Sequence, residues 1–383
     1  MIRSIDILRS DIFDSTEARN WVTRTANKLH FVTRNATVEH ELLLHVGDAY
    51  DSATAAETAR NLRRLGIFRD VHVGRFCADS GLVLQVVTKD GWSTKVDLSF
   101  SSTGGEVTYT AGVFESNLLG TATQALLKYR KNRDRSTVQV GFQKPRLIAH
   151  RVGVLAQYEH RTDGRQAFGT IEYPFFALAS RHGVRLDAQI FQGRVLRFTN
   201  GSQIADDSLQ RRYALLSSEG AVALHASNRG YLRLGVNAQL RRDDFAAQPP
   251  TGPIPRSLSG AVGPFLEFTH ASFLLLHGYQ NFQREEDVNI SPFARVGFFV
   301  APSAWGYGRG GVGPYLTASI GSRLPQGFGY LQAKARSLYT SVGLDSGTVQ
   351  TGGTIVPRRE GRRPFVGHPG CAWPDEHIPG AER

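Results

Sequence analysis

The sequence predicts a small α+β module, in the order strand, helix, helix, strand, strand, followed by an antiparallel transmembrane β-barrel that is incomplete. First, apolar residues recur with a period of two from Thr94 onward, as in Leu232, Leu234, Val236, Ala238 and Leu240 set against Arg233, Gly235, Asn237, Gln239 and Arg241. Second, residues 1–90 hold four of the 40 glycines and no proline, whereas residues 91–356 hold 32 glycines and 11 of the 16 prolines. That segregation is the punctuation of many strands joined by turns. Third, many of the alternating runs approach the roughly 9–11 residues that a tilted strand needs to cross a bilayer, against about 5–6 in a soluble sandwich.

The module is expected over residues 1–90. Ile2 to Phe13 alternates as a strand, and Thr37 to Leu44 reads as a short helix capped near Asn35. Gly47-Asp48-Ala49-Tyr50-Asp51-Ser52 opens a second helix over about Ala53 to Leu65, which Gly66 stops. Strands follow at Val71 to Phe76 and Leu82 to Val87, joined by the turn Ala78-Asp79-Ser80-Gly81. The barrel is expected over residues 91–356. Its first strand, from Thr94 to Ser101, alternates Val96, Leu98 and Phe100 with Lys95, Asp97 and Ser99, and Val184, Leu186, Ala188 and Ile190 repeat the pattern. Long polar side chains such as Arg130, Arg185, Arg233 and Lys334 fall on the polar side, where a wet lumen tolerates them. Tyr129, Tyr158, Tyr173 and Phe191 lie near strand ends, as an interfacial girdle would place them. Residues 357–383 hold five prolines, two arginine pairs and no alternation, so they read as an irregular tail foreign to the barrel.

The formal charge of +11 suits nucleic acid or an anionic membrane in principle. The basic residues are nevertheless spread along strands and turns rather than clustered with aromatics, which suits a lumen better and does not point to nucleic acid, so no nucleic-acid partner is expected. Cys77 and Cys371 make no disulfide framework and no zinc pattern. No run approaches a membrane helix, while the mean hydropathy of −0.26 fits a barrel whose alternate residues are polar. Met1 to Ile7 alternates and lacks the apolar centre of a secretory signal, so the chain is either intracellular or begins downstream of its natural start.

Gly47-Asp48-Ala49-Tyr50, then Leu62-Arg63-Arg64-Leu65-Gly66-Ile67-Phe68 before a strand, resembles the signature of a POTRA domain, carried by Gly47, Tyr50, Leu62, Leu65, Gly66 and Phe68. Downstream, Asn117-Leu118-Leu119-Gly120 resembles the turn after the second barrel strand of the BamA/TamA family of outer-membrane assembly factors. Lys131-Asn132-Arg133-Asp134, Lys144-Pro145 and Glu172-Tyr173-Pro174 continue the likeness over about residues 40–195. The resemblance implies a periplasmic POTRA module ahead of a sixteen-stranded barrel in the outer membrane of a Gram-negative-type bacterium. It implies insertion of β-barrel proteins or translocation of proteins, with lipid, nascent clients and periplasmic accessory proteins or lipoproteins as partners.

Two features depart from the family. There is one module and no leader, and the family's Arg-Gly motif of a long inward loop finds only Asn228-Arg229-Gly230-Tyr231, which reads as a hairpin turn. Together with the tail, these mark the chain as a fragment.

The chemistry expected is strand capture without catalysis, cofactor or metal. Val71, Val73 and Phe76 on the later module strand are the candidates for client addition at a sheet edge. Val96, Leu98 and Phe100 mark the lateral seam that the resemblance implies at the first barrel strand, and Asn117, Leu119 and Gly120 carry the family turn. His30, His40 and His45 are read as structural, and Glu285-Glu286-Asp287 as a solvated strand end. Gly308-Arg309-Gly310-Gly311 lacks the context of a phosphate loop. The competing readings are a passive channel, which does not explain the N-terminal module, and a soluble β-rich binding protein, which would extract without detergent.

Overall fold

A computed structural model describes residues 1–357 apart from 15, 79–80, 149–150, 196–197, 200–201, 204–208, 247–256, 280–283 and 306–308. The tail from 358 onward, Cys371, the centre of the Ala78–Gly81 turn and Gly308 lie outside the described residues.

The N-terminal unit consists of β1 (Ile2–Ser10), α1 (Trp21–Leu29), α2 (Asn35–Glu39), α3 (Ser52–Arg64), β2 (Phe68–Ala78) and β3 (Gly81–Asp90). Its sheet has the order β1-β3-β2, with β1 parallel and β2 antiparallel to the central β3. A core of Ile2, Val38, Leu62, Ile67, Phe68, Leu84 and Val86 joins sheet and helices. The helix expected over 53–65 begins one residue earlier because the Asp51 side chain accepts from the Thr54 amide at 2.9 Å. The helix expected over 37–44 is instead the five-residue α2, whose N-cap is Arg34 rather than Asn35. Helix α1 goes beyond the sequence reading. Its two threonines and a valine are weak helix formers, and it buries no residue in the core.

The second unit opens with β4 (Thr94–Thr103), β5 (Glu106–Leu118), β6 (Thr123–Lys131), β7 (Ser136–Ile148), β8 (Val152–Arg161), β9 (Gly164–Tyr173) and β10 (His182–Val195). It continues with β11 (Phe198–Thr199), β12 (Ser202–Gln203), β13 (Leu209–Ser227), β14 (Gly230–Ala246), β15 (Ser257–His270), β16 (Phe273–His277) and β17 (Glu285–Asn289). It ends with β18 (Phe293–Ala301), β19 (Gly311–Leu324), β20 (Gly327–Thr340) and β21 (Gly343–Pro357). Two of the pairs, β11-β12 and β16-β17, form separate hairpins. The remaining strands form one antiparallel meander of 14 strands running from β4 to β21, so the sixteen implied by the resemblance are not reached among the described residues. The sheet is open, since β4 pairs with β5 and β21 with β20, and the two edges do not meet.

Period two decides which side each residue takes. Leu186, Leu216, Leu234, Leu266, Val296 and Leu316 stand exposed on one face, where water would be the wrong solvent for so continuous an apolar surface. The opposite face carries charged ladders, among them Arg295 with Glu219 at 2.6 Å and Arg211 with Asp243 at 2.8 Å. Of the expected girdle, Tyr129, Tyr158 and Tyr173 pair in register with the outward Val138, Val140 and Val184. Phe191 does not join them. It lies on the polar face, stacked on Tyr213 at 5.2 Å with the Arg161 guanidinium above it, because odd-numbered residues of β10 point inward. No helix among the described residues is long and apolar enough to cross a membrane.

Candidate functional site

Residues that resemble the POTRA signature build the module. Leu62 and Phe68 are buried in its core, Leu65 and Tyr50 pack against that core, and Arg75 lies over the Tyr50 ring at 4.7 Å. Gly47 and Gly66 sit at φ 95° and 68°, where a Cβ is strained, the first turning the chain back to β1 and the second closing α3.

The proposed capture strand β2 is an edge of its sheet. Val71 is buried and Val73 packs against the core, while Phe76 is exposed near the strand end. The Arg63 guanidinium donates to the Val71 carbonyl at 3.2 Å, so that part of the edge is already engaged and its later residues are the more accessible ones.

At the edge of the large sheet, Val96, Leu98 and Phe100 are 69–75 % exposed on the outward face of β4. Their strand has one neighbour, and its free N–H and C=O groups face outward in the sheet plane.

Asn117, Leu119 and Gly120 form the joint between the two units. Buried Asn117 donates from Nδ2 to Thr33 Oγ1 at 2.8 Å and accepts on Oδ1 from the Ala122 amide at 2.9 Å. Thr33 in turn donates from both its amide and its hydroxyl to Asp90 Oδ2, at 2.7 and 2.9 Å. The Gly120 carbonyl accepts from the Arg34 amide at 2.9 Å and from Thr37 Oγ1 at 3.0 Å, and the Leu119 carbonyl from Arg34 Nε at 3.0 Å. A Cβ on Gly120 would lie 2.5 Å from the Val32 carbonyl oxygen, so only glycine permits this approach. Leu119 and Ala122 are held at φ 55° and 52°, the two non-glycine residues in the left-handed region among the described residues, each at a cost of about 1–2 kcal/mol. Sequence reasoning identified this turn but not what it grips.

Behind the joint, burial raises the Asp90 carboxyl to about 6 against the Thr33 hydrogen bonds and the nearby His30, which hold it down. The His30 side chain is buried, with Nδ1 3.1 Å from Asp11 Oδ1 and Nε2 3.6 Å from Asp90 Oδ2. The expected structural role of this histidine therefore has a concrete form, a bridge between two carboxyls.

Further contacts carry the module across the turns of one end of the sheet. Glu41, raised by burial, pairs with Arg146 at 3.0 Å before the β7–β8 turn. Glu57, likewise raised by burial, accepts from the Leu178 amide at 2.6 Å, and Asn61 donates to the Phe176 carbonyl at 3.2 Å, both in the β9–β10 connection. Asn228 at the β13–β14 turn donates to Asp51 at 2.8 Å and to Thr54 at 3.0 Å, so Asn228-Arg229-Gly230-Tyr231 is the hairpin turn expected and serves docking. Asp287 is not a solvated strand end, because Arg63 meets its two carboxylate oxygens at 2.6 and 2.9 Å. Helix α3 and its N-cap present Asp51, Thr54, Glu57, Asn61 and Arg63 to these connections, a use of its outer face that its sequence does not announce.

The polar face of the sheet holds a cavity of about 460 Å³ beside β6, β7 and β8, lined by Lys128, Arg130, Arg135, Glu159 and Arg161 among others. No group of three or more His, Cys, Asp or Glu side chains suited to a metal occurs among the described residues.

No family model matches the chain. Over 201 residues, 51 % of its length, it is 23 % identical to the outer membrane protein assembly factor BamA of Neorickettsia risticii (strain Illinois), and it spans 26 % of that relative. Among solved structures, BamA of Haemophilus ducreyi lacking POTRA domains 1–3 aligns over 92 % of this chain and 84 % of its own, at 11 % identity and a TM-score of 0.33. CdiB of Acinetobacter baumannii aligns over 93 % and 67 % at 11 % identity and a TM-score of 0.40. CdiB of Escherichia coli aligns over 95 % and 73 % at 13 % identity and a TM-score of 0.37. On the sequence match, which runs through half its length, the chain is BamA/TamA-like.

Proposed function

We propose that the chain is part of an outer-membrane protein of a Gram-negative-type bacterium that inserts β-barrel proteins or translocates proteins across that membrane. The N-terminal unit is then a POTRA-like module in the periplasm. The activity is exchange of hydrogen-bonded strand edges, with no covalent chemistry and no cofactor.

The observation that carries the reading is β4. Its outward side chains Val96, Leu98 and Phe100 suit lipid, while its backbone has one partner strand. An unpaired N–H or C=O in hydrocarbon costs several kcal/mol, so an edge at membrane depth is driven to pair with any extended segment offered to it. A client hairpin supplies such a segment. The β2 edge of the module offers a weaker, water-exposed version of the same chemistry, suited to holding a client before insertion. Partners implied are outer-membrane lipid, unfolded β-barrel clients and periplasmic accessory proteins or lipoproteins, with no nucleic acid.

The test is assisted folding. The full chain is reconstituted in phospholipid vesicles, and a urea-unfolded eight-stranded barrel protein is diluted in, its folding followed by gel mobility. Faster folding than in empty vesicles is expected, and equal rates in the two preparations would overturn the proposal.

A further inference from the structure

Helix α1 is built the wrong way round for a protein in water. Asn27, on its polar side, faces the module, donating to the Phe13 carbonyl at 2.7 Å and accepting from the Phe13 amide at 3.2 Å. With 100° per residue, Trp21, Val22, Thr25 and Leu29 then lie on the opposite side. They point outward, with Trp21 77 % and Leu29 71 % exposed, and Phe31, just past the helix, is 60 % exposed. The fold has spent its polar contacts inward and left an aromatic and aliphatic stripe without a partner among the described residues.

Two observations say what covers that stripe. One is continuity. Val32, next to Phe31, lies against Gly120, and Arg34 holds the Leu119 and Gly120 carbonyls. Leu118 and Leu119 are themselves exposed, at the end of β5, so the stripe runs into the rim of the apolar face of the sheet beside the edge strand β4. The other is charge. Arg24 and Lys28 flank the stripe, both exposed, with Trp21 between basic side and apolar side. An aromatic at the boundary of an apolar stripe and a cationic border is the chemistry of a helix lying in the headgroup layer of a bilayer.

We propose that α1 and Phe31 form a foot that lies in the phospholipid headgroup layer at the module end of the sheet, next to β4. This inference rests on the membrane reading of the sheet. The foot fixes the height of the module against the bilayer, so the Asn117 joint is held at the lipid boundary rather than free to tilt. It also places lipid-perturbing side chains beside the strand at which a client would enter.

The experiment uses the full chain in vesicles of phosphatidylethanolamine and phosphatidylglycerol, in two single-tryptophan forms. The first keeps Trp21 and replaces Trp92, Trp305 and Trp373 by Phe. The second also carries Trp21→Phe and places a probe in the sheet with Phe100→Trp. Quenching by lipids brominated along their acyl chains is compared with quenching by aqueous iodide. Expected is loss of Trp21 emission with lipids brominated close to the headgroup, little loss with deep bromines, and protection from iodide, while Phe100→Trp is quenched by deep bromines. If the Phe100→Trp probe is quenched and Trp21 responds only to iodide, the foot is overturned and the sheet remains in lipid. If Trp21 is shielded from both quenchers, protein covers the stripe and the foot is likewise overturned. If neither probe responds to bromolipid, the membrane reading fails and the foot with it. As a second variant, Trp21→Ser with Leu29→Ser and Phe31→Ser is expected to keep the gel mobility of the folded sheet while raising proteolysis between β3 and β4. Unchanged proteolysis would overturn the anchoring role.

Discussion

Replacing Asn117 by alanine is expected to release the module from the sheet without unfolding either unit. Asn117 is buried and makes two bonds, one to Thr33 Oγ1 and one from the Ala122 amide. Thr33 Oγ1 keeps its bond to Asp90 in the variant, so losing Asn117 there removes about 0.5–1.5 kcal/mol. The Ala122 amide has no second partner among the described residues, and leaving a buried donor unsatisfied costs about 1–3 kcal/mol. Together these amount to about 1.5–4.5 kcal/mol of docking free energy, a roughly 10- to 2,000-fold fall in the ratio of docked to released module. Hydrogen exchange of peptides covering residues 30–34 and 116–123 reads this directly, with limited proteolysis at residues 91–93 as a second probe. Exchange in the strands β7 to β10 should not change, which separates release from global unfolding. Unaltered exchange at residues 30–34 would refute the joint, because the Arg34 amide donates across it to the Gly120 carbonyl.

Gly120→Ala should produce the same release, since its Cβ would press on the Val32 carbonyl, whereas Gly104→Ala, equally left-handed at φ 60° but with nothing within 4 Å, should cost only about 1–2 kcal/mol of local strain; both are read by the same exchange experiment. A double-mutant cycle on Arg63→Ala and Asp287→Ala should return a coupling of about 1–3 kcal/mol in docking, since the pair is bidentate and largely buried, and additivity would show the contact to be incidental. Asp90 has its carboxyl raised above the unfolded value of 3.8 to about 6, so the native state holds the proton more tightly and the module loses stability as pH rises from about 4 to about 6, with no further loss from this group above that. Asp90→Asn keeps an acceptor for both Thr33 bonds and should flatten that part of a denaturation series in pH; a retained slope would show that the Asp90 carboxyl is not its source. Leu98→Arg on the outward face of β4 should lower membrane insertion by about 2–4 kcal/mol if the residue lies near mid-bilayer, measured as the share of chain resisting carbonate extraction, while Ser99→Arg on the other face should not.

The large sheet was legible because period two survives any register: Leu232 to Leu240 reads as a strand whatever it pairs with, and β14 contains it whole. The edges of the sheet were less legible, since a strand with one neighbour and a strand with two have the same alternation, and strand number follows from pairing rather than from pattern. Phe191 shows the limit of reading aromatics by position along a strand. Its place on the polar face is set by parity from the pairing of β10 with β13, not by nearness to a strand end. In the module, Asp51 and Gly66 announced the ends of α3, but the outer face of that helix gave no sign that Asp51, Glu57, Asn61 and Arg63 would grip three separate connections of the sheet. Such contacts join residues more than a hundred positions apart, and nothing local encodes them. The same holds for α1, whose apolar stripe resembles a core face in sequence and is an outer face in the fold.

The central claim is that the free edge of β4 pairs with client strands. Single cysteines at Ser99 and Ser101, which alternate along β4, are to be paired with a cysteine scan through the last strand of a β-barrel client caught during assembly. The account predicts disulfides that follow one antiparallel register, in which moving two residues along β4 moves the partner two residues the opposite way along the client strand. Crosslinks scattered without register, or none while the client still assembles, would contradict it.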